Sequence, residues 1–309
     1  MNGYARWIAI VAVVVAIGGP MVLGLIGAIR ARAGKMELGV RRDDGARWDW
    51  RLTIASALMY ASAFCVIFFI QELFLVIPKA LTPGLNVTLF HNNHHWDGDN
   101  PLARLFQGTG ALATVITALA FAAWLKFAPP RSAVMRLFVL WMVFHGFFEA
   151  LPQVAVGAVF AGNDVGMAME YLQLSPATKT VAAMLALVAI VAIAIRLIRP
   201  LLELAPRDGD IDTAGKRTRF VFRTATLPAL MALPLIILFR VPGTIDQVVI
   251  VPVAVTIIGI SWMQAGAWGV TSAIAGRALP VRSIWGALIA VALLLLVFQV
   301  VLRPGIHFY

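Results

Sequence analysis

The chain reads as an all-α polytopic membrane helical bundle of about eight transmembrane helices, with both termini outside. Three observations predict this. The first is composition: 61% of the 309 residues are hydrophobic and 13% are charged, against about 45–50% apolar and about 25% charged in soluble domains. So few charges cannot solvate a soluble fold of this size. That excludes a water-soluble enzyme, a disordered chain and a nucleic-acid-binding domain, despite the net charge of +10. The second is a series of eight apolar runs, each near the roughly 20 residues that cross a bilayer. The third is charge placement. Segments 30–51, 126–136, 196–223 and 277–282 hold 19 of the 25 Lys and Arg residues. Basic residues in short loops stay in the cytoplasm, and the alternation holds along all eight runs. A multi-pass plasma membrane protein is expected, and its partner is the lipid bilayer.

The first span, Trp7–Ile29, is too long for a signal-peptide core, and Arg30, Arg32 and Lys35 hold its far end inside. The second, Leu52–Pro78, carries Glu72 and the single cysteine, Cys65, so no intrachain disulfide can form. Residues 79–104 then form an outer loop or cap before the third span, Leu105–Phe127. The fourth, Leu137–Gly162, contains His145, Glu149, Pro152 and Gln153. The fifth is Thr180–Ile198, followed by a cytoplasmic polar loop at 199–223 with the Gly, Asp and Thr content of a turn region. The sixth, Thr224–Phe239, is short, and Pro228 and Pro234 predict a bend whose freed carbonyls neighbours must satisfy. Gln247–Trp268 and Ile284–Leu302 complete the set. Trp7, Trp48, Trp50, Trp124 and Trp285 sit near span ends as interface-belt residues. Residues 1–309 read as one membrane domain.

Chemistry is sought where polarity is costly. A charge at the centre of a span costs about 2.5–3.5 kcal/mol on insertion scales. Glu72 and Glu149 are the two acids well inside spans, and His145 is the one such histidine. His145, Glu149 and Gln153 recur at i, i+4 and i+8, which places them on one helix face. Counted from the outer end at about 1.5 Å per residue, Glu72 lies about 9 Å deep, Gln153 about 14 Å and Glu149 about 20 Å. The two spans can face their acids to one pocket. Above them the cap carries His91, Asn92, Asn93, His94, His95, Asp97 and Asp99 within nine residues. A connection this long in a compact domain is usually functional or disordered, and Leu85, Val87, Leu89, Phe90 and Trp96 suggest a folded one.

His91-x-x-His94-His95 has the form of a histidine box of membrane fatty-acid desaturases and hydroxylases. Those families use several such boxes facing the cytoplasm. This chain has five histidines in all and its HxxHH faces outward, so that assignment is set aside. HExxH, the mark of a zinc-dependent membrane protease, is absent.

The leading expectation is a metal-dependent membrane hydrolase with its site at the outer side of the bundle. A divalent metal such as zinc would be held by His145, Glu149, His94 and one or both of His91 and His95, the donor types zinc takes. Glu72 would be the general base, and the substrate lipid-like or amphiphilic. A proton- or cation-coupled transporter would use Glu72, His145 and Glu149 as a relay. A structural or assembly subunit would use the polar stripe to bind a partner helix or a pigment. Loss of the loop histidines separates the first two readings.

Overall fold

The computed structural model describes residues 3–32 and 48–308. Residues 33–47, with Lys35, Arg41, Arg42 and Arg47 of the first basic segment, lie outside the described residues. Eight helices are long and apolar enough to cross a membrane. They are span 1 (Gly3–Arg30), span 2 (Trp50–Ala80), span 3 (Leu102–Phe127), span 4 (Ala133–Val159), span 5 (Pro176–Leu202), span 6 (Ala214–Arg240), span 7 (Asp246–Gly269) and span 8 (Trp285–Leu302). The all-α polytopic bundle expected from composition and run length is the architecture observed.

Two boundaries correct the sequence reading. The sixth span is 27 residues long, because the basic stretch from Lys216 to Arg223 continues as helix. The polar loop placed at 199–223 is correspondingly narrower, since the neighbouring spans take residues at both of its ends.

Spans 2 and 4 are the buried centre of the bundle and span 1 is its least buried member. Ala55, Ala61 and Ala63 of span 2 are fully buried, and such small residues let helices approach where lipid supplies no hydrophobic drive. Gly146 of span 4 marks the closest crossing with span 3: a Cβ there would lie 2.7 Å from Ala118 Cβ and from Thr114 O. Beside this crossing Tyr60, Phe64, Trp141, Phe144 and Phe148 fill the core with fully buried rings. Their polar atoms are satisfied. Tyr60 Oη is 2.9 Å from Thr256 Oγ1, and Trp141 Nε1 donates to Ser56 Oγ at 3.1 Å.

The prolines are accommodated by a repeated device. Among the described residues, the π-helical stretches Val14–Gly18, Phe222–Thr226, Asp246–Ile250 and Val297–Leu302 each end two residues before a proline: Pro20, Pro228, Pro252 and Pro304. Proline offers no N–H and its ring collides with the carbonyl four residues back. A wider turn relieves that collision. Ser56 Oγ donates to Thr224 O at 2.6 Å, the carbonyl that Pro228 leaves free, and Thr109 Oγ1 reaches Phe74 O, freed by Pro78, at the same distance.

The cap contains the one structure an all-helical reading omits. Strands β1 (Asn86–Leu89) and β2 (His94–Asp97) form an antiparallel hairpin, and β3 (Ile306–Phe308) joins the free edge of β1. Val87 and Leu89 point inward and, with Leu85, pack on Val76 of span 2 and on Ala103. The Thr88↔His307 register places the cap and the C-terminal strand on one face of the bundle, as an even number of spans between them requires.

Candidate functional site

A cavity of about 550 Å³ lies beneath the cap, within the size range of small-molecule sites. Spans 2, 4, 6 and 7, with Gln107 of span 3, form its walls, and the cap and the short helix Asp164–Tyr171 cover it. Its lining is apolar along Phe68, Phe148, Val251, Val255 and Ile258 and polar at three levels.

The uppermost polar level is built on period-two geometry. Successive strand residues face opposite sides, so β2 sends His94 and Trp96 inward and leaves His95 and Asp97 exposed. His94 Nδ1 lies 2.7 Å from Glu72 Oε2, and His94 Nε2 lies 2.8 Å from Lys79 Nζ. The assignment consistent with both contacts has Nδ1–H donating to the Glu72 carboxylate and Nε2 accepting from Lys79. Lys79 is fully buried, with its ammonium 4.3 Å from the centre of the Trp96 ring. His94 stacks on the same ring. Trp96 therefore fixes the two groups that hold Glu72 in place.

Asp164 lines the same cavity as this cluster. Asn163 caps its helix, accepting from Val165 N at 3.2 Å. Burial, with the Glu72 charge second, pushes the Asp164 carboxyl up to about 6, while His94 and Lys79 oppose the shift. Two carboxyl groups in unlike settings thus share one cavity.

In the middle, Gln153 Nε2 donates to Gln71 Oε1 at 2.9 Å, tying span 4 to span 2. Asn92 Nδ2 donates to Arg240 O at 2.9 Å and to Pro242 O at 2.7 Å, tying the cap to the end of span 6.

At the deep level stand Glu149 and Arg240. Both Glu149 carboxylate oxygens and Arg240 Nη1 are buried without hydrogen-bond partners. Arg240 Nε donates to Gln247 O at 2.7 Å, and its guanidinium lies 3.8 Å from the centre of the Phe68 ring. His145 is deeper still and is not part of the lining. It meets Tyr60, Phe64 and Phe144 edge-on at centroid distances of 4.4, 5.2 and 5.1 Å. Its Nδ1 is 3.7 Å from Glu149 Oε1, beyond hydrogen-bond reach.

The residues singled out in the sequence therefore separate. Glu72, His94 and Glu149 line one cavity. His145 belongs to the aromatic layer below it. His95 is turned outward by the strand alternation, with Nε2 3.2 Å from Asp97 Oδ1 at the surface. His91 is buried outside the lining, where burial pulls its imidazole below the usual histidine range. Among the described residues, no group of three or more His, Cys, Asp or Glu side chains is set to hold a metal ion. Among the described residues, the expected ligand set of His145, Glu149, His91, His94 and His95 is not gathered at one point.

Two charged cavity residues escaped the sequence reading. Lys79 and Arg240 counted only as flanking charges in the topology argument. Their position at the very ends of long apolar runs was the available signal, since a cation there either reaches the interface or turns inward to a site. Asp164, in the loop after span 4, reads in the sequence equally as a site residue or as part of a wet loop, and the structure places it in the lining.

Fold and cavity together define a polytopic helical membrane protein with an acid-lined chamber beneath a small β-cap. Comparison of the chain with family models, with curated proteins and with solved structures returned no match.

Proposed function

We propose that the chamber is the acid–base site of a membrane hydrolase acting on an ester, amide or phosphoester bond of an amphiphilic molecule. The observation that carries this reading is the pairing of Glu72 and Asp164, two carboxyl groups of unlike environment facing one half-apolar cavity. Two carboxyl groups that share a cavity can divide the acid and base roles.

Glu72 Oε2 is committed to His94, which leaves Oε1 for a water. In the proposed step Oε1 takes a proton from that water as its oxygen bonds to the carbonyl or phosphoryl centre. The bond to the leaving group breaks, and Asp164, raised to about 6, gives that group its proton. The proton on Glu72 then returns to Asp164 through solvent. His94 and Lys79 keep Glu72 oriented. The apolar wall holds the tail while the head group meets the polar end, as an amphiphile at a membrane surface requires. The same reading takes the cap side as the outer face of a plasma membrane, which rests on the basic-loop bias.

Purified protein in liposomes, offered a mass-spectrometric panel of acyl esters, acyl amides and phosphoesters, tests this. At least one should be cleaved by wild type. Glu72→Gln and Asp164→Asn should each slow the reaction by about 10²–10⁴-fold, the usual contribution of a positioned acid or base. His95→Gln should leave it unchanged. Cleavage at the wild-type rate by Glu72→Gln overturns the reading, as does a panel left wholly intact.

One observation favours a second reading, proton-coupled transport. Glu72, His94 and Lys79 form a continuous hydrogen-bonded chain with links of 2.7 and 2.8 Å, the kind of group series used in relays. Against it, the lining of the chamber does not extend to the fully buried rings of Tyr60, Trp141 and Phe144 in the core. A pH-sensitive dye trapped in the same liposomes separates the two. Proton flux that vanishes in Glu72→Gln would support transport.

A further inference from the structure

We infer that the deep end of the chamber is an oxyanion seat: Arg240 Nη1 binds the phosphate or carboxylate head of the amphiphile, and Glu149 accepts a hydrogen bond from a donor beside that head. This deepens the hydrolase reading by naming the substrate class, and it rests on that reading only for the amphiphile.

The argument starts from two charges the fold leaves incomplete. Arg240 is 3% exposed and Glu149 is 5% exposed, and both line the chamber. A buried charge is retained when it is paired and hydrogen-bonded, because desolvation alone is very unfavourable. Among the described residues these conditions are only partly met. Arg240 Nη1 and both Glu149 oxygens have no hydrogen-bond partner. Among the described residues, no carboxylate lies within the 4.0 Å that would make an ion pair with Arg240, and Glu149 shares the cavity lining with it.

The guanidinium is also immobilised. Its Nε is held by Gln247 O, one face lies on Phe68, and the Phe64 ring centre is 5.8 Å away. The backbone that carries it is clamped by Asn92 through Arg240 O. What remains is Nη1, a buried donor without a partner on a side chain that lines the chamber, and a guanidinium donor is suited to a carboxylate or a phosphate. Glu149 supplies acceptors and no donor when ionised, so a group that satisfies both must carry an anion and a hydrogen-bond donor together. The adjoining wall of Phe148, Val251, Val255 and Ile258 is apolar, which suits an acyl chain and not a free inorganic anion.

Binding, not turnover, tests this. The probes are oleoyl lysophosphatidic acid, which carries an anion and a hydroxyl together, oleate as the anion without a donor, mono-oleoylglycerol as the matched neutral amphiphile, and inorganic phosphate alone. Affinities are read by thermal shift and microscale thermophoresis in detergent. At least one acylated anion should bind wild type tenfold or more tightly than mono-oleoylglycerol. Arg240→Gln should lose that preference while still binding mono-oleoylglycerol, and Arg240→Lys should keep part of it. Glu72→Gln should retain the preference in full, so failure of the catalytic reading leaves the seat standing and failure of the seat leaves the catalytic reading standing. The wild-type comparison decides the matter even where Arg240→Gln does not fold. Equal binding of neutral and anionic amphiphiles overturns the seat, as does a preference unchanged in Arg240→Gln. Inorganic phosphate binding as tightly as the acylated anions overturns the assignment to an amphiphile.

Discussion

At the scale of single residues, the division between His94 and His95 is the most consequential feature of the chamber. The two are adjacent in sequence and chemically identical, yet one is bonded to Glu72 and the other faces solvent. The alternation in His94-His95-Trp96-Asp97 was readable in the sequence, because a strand there must place residues one and three on the side opposite two and four. It went unread because the cluster was weighed as a set of metal donors and not as a strand. Asp164 carries a prediction at the same scale. Its folded carboxyl is raised to about 6 from an ordinary value near 3.8. To act as an acid it must be protonated, so turnover should fall as pH rises through about 6, and Asp164→Asn should abolish that limb of the profile. The linkage has a definite sign. A raised acid contributes stability that is complete below the unfolded value and lost as pH rises through the folded one. Wild type should therefore lose thermal stability relative to Asp164→Asn between about pH 4 and pH 7. A difference between the two melting temperatures that stays flat with pH would refute the shift.

At the scale of elements, the prolines connect sequence to packing. Their positions were legible, and the need for a substitute partner at the carbonyl freed by Pro228 followed from the chemistry of the residue. The identity of that partner was not, because Ser56 is 168 positions away on another span and no local pattern links the two. Ser56 also accepts from Trp141, so one hydroxyl serves a carbonyl and an indole. Ser56→Ala should cost about 1 kcal/mol, within the span measured for hydrogen bonds inside membranes, and Ser56→Thr should recover part of it. Gly146→Val should cost about 1–3 kcal/mol or more, the usual range for overpacking, since Thr114 O is backbone and cannot move aside alone. Both are read as melting temperature in detergent against wild type. The end of the sixth span was misplaced for a related reason. Hydropathy reports which residues tolerate hydrocarbon, whereas the helix from Ala214 to Arg240 continues through basic residues that contribute helical hydrogen bonds without being apolar.

At the scale of the whole molecule, parity is the test that composition and structure share. The count of eight spans came from run length and loop charge, two properties the bilayer imposes directly on sequence, so it was almost fully legible. The chamber was not, because it depends on which faces of spans 2, 4, 6 and 7 meet, and span periodicity is weak when nearly every position is apolar. The pairing of β1 with β3 gives an independent check on parity. It fixes the cap after span 2 and the strand after span 8 to one face, which only an even number of intervening crossings permits. A miscounted span would have separated those strands by the thickness of the membrane. The consequence can be measured with a membrane-impermeant maleimide on intact cells. With the buried Cys65 replaced by Ser, His95→Cys and His307→Cys should both label, and Asp212→Cys, exposed between spans 5 and 6, should label only after permeabilisation. The reverse pattern would invert the orientation inferred from the basic loops while leaving the bundle intact. Labelling of His95→Cys and Asp212→Cys from the same side would break the count of crossings between the cap and span 6, and with it the placement of Arg240 beside Phe68 on which the chamber is built.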